Sequence, residues 1–525
     1  MHLSEPNLTG IPGRKTAGDK SFAAGFIAIE NGNGSRSSHR NVIAIAIFSA
    51  VLLIPCCWQS RIQAADLSSH IYNAWLASRI HRRAAPGLWI SSQSNNILFD
   101  QMLEWLLVRV GPDWAQRLAV AACVLVFAWG AILFIFNLQS LYPARRADAT
   151  LGSNRWWIAA PCVAMLSYGF IFHMGFFNFY LSMGLGLLSL ATFIPPGRSP
   201  YLRAVAAPLL ILAWIAHPFP VLWGVATGAY IAFANRFASR RRAFILASAL
   251  AALFVARSIV THRYLYSWSP RQLFFISGAD QLKLFDWKYD LPFAGLLSMQ
   301  WILLRSLIRR SGLVTLVSGI PFQLWLLNAA AVFLIPDVVH LPAFQRSFGN
   351  ITDRLSLTAA LTMCALVAAA PASRFVKIGL VSVTVIFFGL FYADNLALNR
   401  LEDRLDAAVA RLPAGQRALS SLPSRTLRAL CFQHDLDRAC IGQCFSYGNY
   451  EASSGQFRVR AAPGNGIVLD NAVDVDAVAN GTYVVRPQDL PLSLVSRCSS
   501  SSLESNLVSV CVRSLHAGEP VGNTP

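Results

Sequence analysis

Long apolar runs alternate with short polar connections along most of the chain. A helix needs roughly 20 residues to cross a bilayer, and several runs are shorter, so we predict about 11 transmembrane helices. The pattern therefore predicts an all-α polytopic membrane domain over residues 41–394. The runs lie near residues 41–57, 117–140, 157–172, 177–194, 204–217, 219–235, 243–260, 293–304, 313–335, 355–370 and 378–393.

Basic residues recur in every second connection between these runs. With eleven spans counted, all six basic groups lie on one side of the membrane, which the positive-inside rule makes cytoplasmic. The N-terminus is then cytoplasmic, and the residues after the last span are extracytoplasmic. The groups are Arg14, Lys15, Lys20, Arg36 and Arg40; Arg145, Arg146 and Arg155; Arg198 and Arg203; Arg236, Arg240, Arg241 and Arg242; Arg305, Arg309 and Arg310; and Arg374 and Lys377.

The composition also indicates an integral membrane protein, in the plasma membrane if the chain is bacterial. Hydrophobic residues make up 55% of the chain and charged residues 13%, with a mean hydropathy of +0.46, whereas soluble domains carry about 25% charged residues. The placement of the basic groups explains the net charge of +18, so no nucleic-acid partner is predicted. Residues 1–40 are polar and rich in Gly and Ser, which predicts a disordered cytoplasmic tail before a signal anchor.

The first outer loop, residues 58–116, contains two amphipathic stretches. In a helix, Asp66, His70 and Asn73 form one polar stripe at i, i+4 and i+7, opposite an apolar stripe. This pattern is typical of an interfacial helix, and a carboxylate facing a cavity there is a candidate catalytic base. The alternative is a solvated face. The second stretch, Ile97 to Val110, carries Asp100 and Glu104 on its polar side.

Two histidines lie at outer turns between later spans. His173 follows Phe172, and His217 precedes a Pro-Phe-Pro sequence that breaks the helix. Either imidazole could bind a substrate or hydrogen-bond backbone groups that the turn leaves unpaired.

The outer loop 261–292 is rich in aromatic and cationic residues, including Arg263, Tyr264 and Trp268. Such residues form either an ordinary interfacial aromatic belt or a surface that stacks on a sugar ring or prenyl chain. Arg257 lies within the outer end of a span, where an unpaired cation is costly.

The outer segment 336–354 carries His340 and two arginines, Arg346 and Arg354. Guanidinium groups bind phosphate oxygens bidentately, so this segment is a candidate phosphate site. The alternative is that the arginines pair with Asp337 and Asp353.

After residue 394 the chain becomes polar. We predict a linker over residues 395–426 and a small β-rich or α+β extracytoplasmic domain over residues 427–525, with strands at Gln456–Ala461, Gly466–Asp470, Thr482–Val485 and Ser505–Arg513. Five cysteines on an oxidising side predict two disulfides and one free thiol. The alternative is a zinc site. The residues concerned are Cys431, Cys440, Cys444, Cys498 and Cys511, with His434 as a further zinc ligand.

This architecture, with the segment Asp66-Leu67-Ser68-Ser69-His70-Ile71-Tyr72-Asn73-Ala74-Trp75, resembles the GT-C superfamily of membrane glycosyltransferases. That superfamily includes protein mannosyltransferases, oligosaccharyltransferases and aminoarabinose transferases. The resemblance covers roughly residues 41–394. Many members have a second acidic residue beside the first, but here Leu67 follows Asp66. A metal or second carboxylate would have to involve Asp100, Glu104, Asp280 or Asp337.

The resemblance implies transfer of a sugar from a polyprenyl-phosphate donor in the membrane to a glycan, lipid or protein acceptor on the extracytoplasmic face, with inversion at the anomeric carbon. Asp66 would be the general base, and His70 would orient it or bind the acceptor. No cofactor is assigned; a divalent metal held by Asp100 and Glu104 is one option. The donor phosphate would be bound by Arg257, Arg263, Arg346 and Arg354, and the sugar or acceptor by Asn73, Tyr264, Trp268, His217 and His340.

Two other functions compete with a transferase. One is a transporter or flippase of a lipid-linked or hydrophobic solute; it predicts ionisable residues in the middle of spans and an inverted repeat, and neither is visible. The other is a non-catalytic envelope-assembly protein. The sequence has no phosphate-binding loop, dinucleotide fingerprint, His-Glu-x-x-His or Gly-x-Ser-x-Gly motif, which excludes an ATP-driven pump with its own nucleotide domain.

Overall fold

The computed structural model describes residues 34–141, 155–194, 200–342, 347–422, 428–429, 431, 434–498 and 509–521. It divides into two compact units, residues 1–52 and 53–525. In the first unit the described part is helix α1, Gly34–Leu53, which begins inside the stretch 1–40 that we predicted to be disordered. Several predicted residues lie outside the described ranges, among them Arg14, Lys15, Lys20, Arg145, Arg146, Arg198 and Arg346.

The second unit is mainly helical, with short strands. Its helices are α2 Leu67–His81, α3 Leu98–Gln139, α4 Arg155–Ser167, α5 Phe170–His173, α6 Phe177–Phe193, α7 Pro200–Ala216, α8 Pro218–Ala234, α9 Ser239–Arg263, α10 Asp290–Ser311, α11 Leu313–Ser318, α12 Ile320–Leu334, α13 Ile351–Val367, α14 Arg374–Val409, α15 Asp435–Ala439, α16 Tyr450–Ser454 and α17 Ala472–Ala479. Its strands are β1 Leu88–Ile90, β2 Leu265–Ser267, β3 Val338–His340, β4 Gln416–Ser420, β5 Cys444–Ser446, β6 Val459–Ala461, β7 Tyr483–Val484, β8 Leu492–Arg497, β9 Val510–Ser514 and β10 Pro520–Val521.

The apolar helices are those of an integral membrane protein. Within the described residues, four are long and apolar enough to cross a bilayer, namely Leu98–Gln139, Arg241–Arg263, Trp287–Ser311 and Arg374–Val409. Shorter apolar helices accompany them, and each span predicted from the sequence falls on helical residues. The predicted membrane domain is therefore confirmed in its helical character.

A Gly-Pro pair separates the two parts of α3. Gly111 has φ +78° and ψ 169°, which lie outside the helical region, and Pro112 follows it. Proline is tolerated in the first turn of a helix because its missing N–H has no partner there. The predicted amphipathic stretch from Ile97 to Val110 is thus a helix that turns at Gly111 into the first long span.

The C-terminal domain has an α+β fold. Its four-stranded sheet has the order β5-β4-β8-β9, with β4 parallel to both β5 and β8 and antiparallel pairing between β8 and β9. Strand β4 lies inside the stretch 395–426 that we predicted to be a linker, and α14 runs without a break to Val409. The predicted strand Gly466–Asp470 is irregular, because Asn465 caps this turn by accepting the N–H groups of Ile467 and Val468.

Two disulfides join Cys440 to Cys444 and Cys498 to Cys511, and Cys431 is free and buried. The prediction of two bridges and one free thiol is confirmed. The zinc alternative fails because a disulfide occupies two of its four ligands.

Helix α2 is buried, which corrects the prediction that it lies at the membrane surface. Eleven of its residues are buried, including His70 and Asn73 on the polar stripe. Its apolar residues Tyr72 and Leu76 share a hydrophobic core with residues of the C-terminal domain, such as Val459. The prediction failed because a surface helix and a helix covered by a distant domain have the same polar and apolar pattern.

A buried ion pair connects the C-terminal domain to the last long helix. Arg438 in α15 donates from Nε and Nη2 to the two carboxylate oxygens of Glu402 in α14, at 2.5 and 2.6 Å. Gln63 donates to the same carboxylate at 2.7 Å, and Arg438 also donates to Gln116 of α3 at 3.1 Å. Glu402 is fully buried. Four distant segments therefore meet at one charged group.

We expect Glu402→Gln to destabilise the protein by about 3–5 kcal/mol, because the variant leaves the buried Arg438 guanidinium without a counter-charge. Thermal unfolding in detergent, followed by a maleimide dye that labels the buried thiols of Cys123 and Cys364, measures this loss.

The matched control is Glu519→Gln, which removes a surface partner of Arg513 and should change stability by about 0–1 kcal/mol. A double variant, Glu402→Leu with Arg438→Met, should recover much of the loss. Equal unfolding temperatures for Glu402→Gln and the native chain would contradict the assigned role of the pair.

Candidate functional site

Asp66 occupies the N-cap position of α2, where the preceding chain meets the segment after α5. The backbone N–H of Ala65 donates to the carbonyl of His173 at 2.8 Å, and that of Asp66 donates to Met174 at 3.3 Å. Gly175 permits this approach: its φ is +77°, and a Cβ there would lie 2.4 Å from the Asp66 nitrogen. The backbone of Asp66 is thus fixed from outside its own helix.

His70, one turn along α2, lies between two carboxylates. Its Nδ1 is 2.6 Å from Asp100 Oδ1 and 3.9 Å from Glu451 Oε1. Asp100 is held in turn by Asn178, whose side-chain amide donates to its other oxygen at 2.9 Å. Glu451 accepts a hydrogen bond from Ser69 at 2.9 Å. Segments from the first outer loop, the helix bundle and the C-terminal domain therefore meet around one imidazole.

The charges around His70 change two pKa values. Burial alone would lower the pKa of His70, but Asp100, Glu451 and Asp66 outweigh it and raise the pKa to about 10. Burial raises the pKa of Glu451 to about 7, although the His70 charge opposes this. At neutral pH His70 is therefore an imidazolium.

His434 of the C-terminal domain lies beside Asp66. Its Nε2 is 3.7 Å from Asp66 Oδ1, and its Nδ1 is 3.5 Å from Asp437 Oδ2. The imidazole packs on the ring of Tyr450 with centroids 4.7 Å apart. We considered this histidine as a zinc ligand, and the structure places it beside Asp66 instead.

Arg354, at the start of α13, lies in an aromatic environment. Its guanidinium carbon is 4.5 Å from the ring centroid of Phe176, 5.2 Å from that of Phe348 and 5.7 Å from that of Phe179. Its Nη1 donates to the carbonyl of Gly349 at 2.8 Å. Its Nε is buried and has no hydrogen-bond partner within the described part of the chain.

Asp353, which we considered as a partner for Arg354, pairs with Arg428 instead. The Nη2 of Arg428 is 2.9 Å from Asp353 Oδ1, and its Nη1 donates to the carbonyls of Asp280 and Lys283 at 2.6 and 3.0 Å. Asp337 caps the start of α13 by accepting the N–H of Thr352. These contacts therefore do not support the alternative in which Arg354 pairs with Asp337 and Asp353.

These groups line one cavity of about 800 Å³. Asp66, His70 and His434 contribute polar groups to its wall, and Arg354 contributes a cation. Other lining residues include Met174, Phe176, Asn178, Phe179, His217, His340, Phe348, Arg428, Tyr450, Gln456 and Phe457.

Five residues predicted for the site thus line one cavity: Asp66, His70, His217, His340 and Arg354. His217 also caps α8, because its Nδ1 accepts the N–H of Phe219 at 3.1 Å. This contact is a backbone hydrogen bond of the kind that we considered for the histidine at this turn.

Other predicted residues lie elsewhere. Asn73 is buried and exchanges side-chain hydrogen bonds with Asn449. Arg257 donates to the carbonyl of Leu334 at 2.9 Å and packs on Trp268, 4.8 Å from its ring centroid. Tyr264 packs against a hydrophobic cluster that also includes Phe348 of the cavity wall, but Tyr264 itself does not line the cavity, and Arg263 ends α9.

Asp100 and Glu104 face different partners. Asp100 contacts His70, as described, whereas Glu104 lies 2.8 Å from His81 and pairs with Arg458. Within the described residues, no group of three or more His, Cys, Asp or Glu side chains is arranged to hold a metal ion.

Sequence reasoning missed the contribution of the C-terminal domain. His434, Tyr450 and Arg428 reach the cavity from residues more than 350 positions after Asp66, and no local pattern connects them. The available signal was His434 itself, a histidine followed by two acidic residues, Asp435 and Asp437.

Comparisons with known proteins give one match. No family model and no curated protein sequence matches the chain. The chain is similar to the crystal structure of ArnT from Cupriavidus metallidurans in the apo state, with 13% identity and a TM-score of 0.41, over 87% of this chain and 93% of that chain.

The His70 cluster predicts a pH-dependent stability. Because the folded-state pKa of His70 is raised from 6.5 to about 10, its contribution is fully present below pH 6.5 and is lost as the pH rises towards 10. The pKa of Glu451 is raised from 4.5 to about 7, so its contribution to stability is likewise lost as the pH rises through that range. We expect the unfolding temperature to fall between pH 7 and pH 10, with a smaller fall in Asp100→Asn. Parallel curves for the two proteins would contradict this assignment.

We expect Gly175→Ala to destabilise the protein more than Gly442→Ala. Both glycines have positive φ, +77° and +83°, but a Cβ at Gly442 meets nothing within 4 Å. Gly442→Ala should therefore cost about 1–2 kcal/mol for its backbone conformation alone, while Gly175→Ala must also displace Asp66. Unfolding temperatures of the two variants test this, and equal losses would show that the approach to Asp66 is not constrained.

Proposed function

We propose that the chain is a membrane glycosyltransferase that moves a sugar from a polyprenyl-phosphate donor to an acceptor hydroxyl on the extracytoplasmic side. One observation carries this proposal: a carboxylate suited to general-base catalysis, Asp66, and an incompletely satisfied guanidinium, Arg354, face the same cavity. Glycosyl transfer from a lipid phosphate needs these two groups together.

Arg354 is the proposed site of the donor phosphate. A buried guanidinium donor without a partner costs free energy, and a phosphate oxygen would satisfy it with a charge-assisted hydrogen bond. The aromatic rings of Phe176, Phe179 and Phe348 hold the guanidinium plane through cation–π contacts. They also provide an apolar surface next to the phosphate, where the first units of a prenyl chain would lie.

Asp66 is the proposed base. It accepts the proton of the acceptor hydroxyl while the acceptor oxygen forms a bond to the anomeric carbon. The bond from that carbon to the phosphate oxygen breaks, and polyprenyl phosphate leaves with both electrons of the bond. A single displacement of this kind inverts the anomeric carbon. General-base catalysis of this type contributes typically 10²–10⁴-fold.

The remaining predicted residues take secondary roles in this proposal. His217 and His340 line the cavity and are proposed sugar or acceptor contacts. Arg257, Arg263, Tyr264 and Trp268 belong to the outer segment next to β2 and β3 and would contact the donor only at its periphery. A metal held jointly by Asp100 and Glu104 is not part of this proposal, because the two carboxylates face different partners. The membrane orientation is the one given by the basic connections, with the cavity on the extracytoplasmic side.

We expect Asp66→Asn to lower sugar transfer by about 10²–10⁴-fold, because asparagine cannot accept the hydroxyl proton. The assay follows radiolabelled sugar from polyprenyl-phosphate donors in membranes that contain equal amounts of each variant. Asp113→Asn, which changes an exposed carboxylate on α3, is the control and should transfer at the native rate.

Equal transfer by Asp66→Asn and the native chain would remove Asp66 as the base. If the native chain transferred sugar from none of the donors, the transporter or envelope-assembly function would replace the transferase.

We expect Arg354→Gln to raise the KM for the donor at least tenfold, because the loss of one charge-assisted contact to phosphate corresponds to about 1.5–3 kcal/mol. The KM for the acceptor should change little. Arg271→Gln, an exposed arginine of the outer loop, is the control. An unchanged donor KM in Arg354→Gln would exclude Arg354 from the phosphate site.

A further inference from the structure

His434 connects the C-terminal domain to the proposed base. It precedes α15, the short helix that also carries Asp437 and Arg438. Its imidazole is 8% exposed, and three contacts surround it: Asp66 on one nitrogen, Asp437 on the other, and the ring of Tyr450 against its face. The imidazole lies at ion-pair distance from both carboxylates, 3.7 Å from Asp66 and 3.5 Å from Asp437.

The contact between Asp66 and His434 joins two residues that are far apart in the sequence, so only the folded chain brings them together. Asp66 and His434 lie in different domains, and the Glu402–Arg438 ion pair holds α15 four residues after His434. Ser446 donates to the second oxygen of Asp437. The short helix that follows His434 is therefore held by buried hydrogen bonds on both Asp437 and Arg438.

The charged groups that face His434 are Asp66, Asp437 and Glu451. Burial alone lowers the pKa of His434, but these carboxylates raise it above its ordinary value. The groups that act on Asp66 include His434, His70, Arg354 and Glu451. Of these four, His434 and Glu451 come from the C-terminal domain.

We propose that His434 is a positioning residue for Asp66: clamped between Asp437 and Tyr450, it holds the Asp66 carboxylate ionised and directed into the cavity. The C-terminal domain is then a part of the catalytic apparatus. This inference rests on the proposed role of Asp66 as the base. The transfer mechanism by itself does not require such a positioning residue.

Carboxyl labelling of the full-length chain in detergent tests the clamp without turnover. A carbodiimide with glycinamide modifies protonated carboxyl groups, so labelling of a carboxyl falls as it ionises. Trypsin releases Ile62–Arg79, in which Asp66 is the single carboxyl side chain, and Val110–Arg117, in which Asp113 is. Mass spectrometry of the two peptides gives the pH of half-maximal labelling for Asp66 and for an internal control.

We expect His434→Gln to move the half-labelling pH of Asp66 upward by about one unit or more, because an opposite charge within about 4–6 Å favours the ionised carboxylate. The half-labelling pH of Asp113 should not move, and His516→Gln, which changes an exposed histidine of the same domain, should move neither. A purely structural His434 would leave the Asp66 curve in place. An unchanged Asp66 curve in a folded His434→Gln variant overturns the proposal.

If His434→Gln does not fold, a second measurement tests the same contact from the side of the histidine. Diethyl pyrocarbonate modifies neutral imidazole, and the tryptic peptide Ala429–Arg438 contains His434 as its single histidine. In Asp66→Asn, His434 should be modified several-fold faster at neutral pH than in the native chain, while His516 reacts at the same rate in both. Equal His434 rates overturn the proposal. Because neither labelling experiment needs a donor or acceptor, a failed clamp and a failed transferase assay are distinguished.

Discussion

The Glu402–Arg438 ion pair is the interaction on which the rest of the site depends. A carboxylate with no exposure is tolerated only when its oxygens are fully hydrogen-bonded, and here Arg438 and Gln63 satisfy them. Arg438 also donates to the carbonyl of Ile62 at 3.0 Å, four residues before Asp66. One charged contact therefore fixes the last long helix, the start of the first outer loop and the C-terminal domain with respect to one another.

Around this anchor the cavity is built from two chemically different sides. One side comes from the helix bundle and holds Arg354 among phenylalanine rings. The other comes from the C-terminal domain and presents His434 on Tyr450. Asp66 lies where the two sides meet, with His70 one turn further along its helix. In the proposed function, the lipid-phosphate donor lies on the first side and the acceptor reaches Asp66 from the second.

A feature could be predicted from the sequence where the residues that determine it are close together in the chain, and not where they are distant. Apolar runs and amphipathic periodicity are local, so the spans and the two helices of the first outer loop could be predicted. Asp66 and His70 could be selected because their spacing places them on one helical face. The burial of that face could not, since part of its cover, Asn449 and Glu451, comes from the distant C-terminal domain. The strand β4 was assigned to a linker because Pro413, Gly415 and Pro423 lie around it in the sequence.

The pairing of β1 with β6 has a consequence for the order of synthesis. Strand β1 follows the helix that carries Asp66, and its antiparallel partner is Val459–Ala461, with Leu88 opposite Ala461. During translation the ribosome must make the whole helix bundle before this partner exists, so the first outer loop waits, uncovered, for most of the time that the chain takes to be made. Domains fold largely as they emerge, from the N-terminus onwards. In this chain the surroundings of Asp66 close last, and a chain that stops before residue 459 would insert its helices but leave the cavity open.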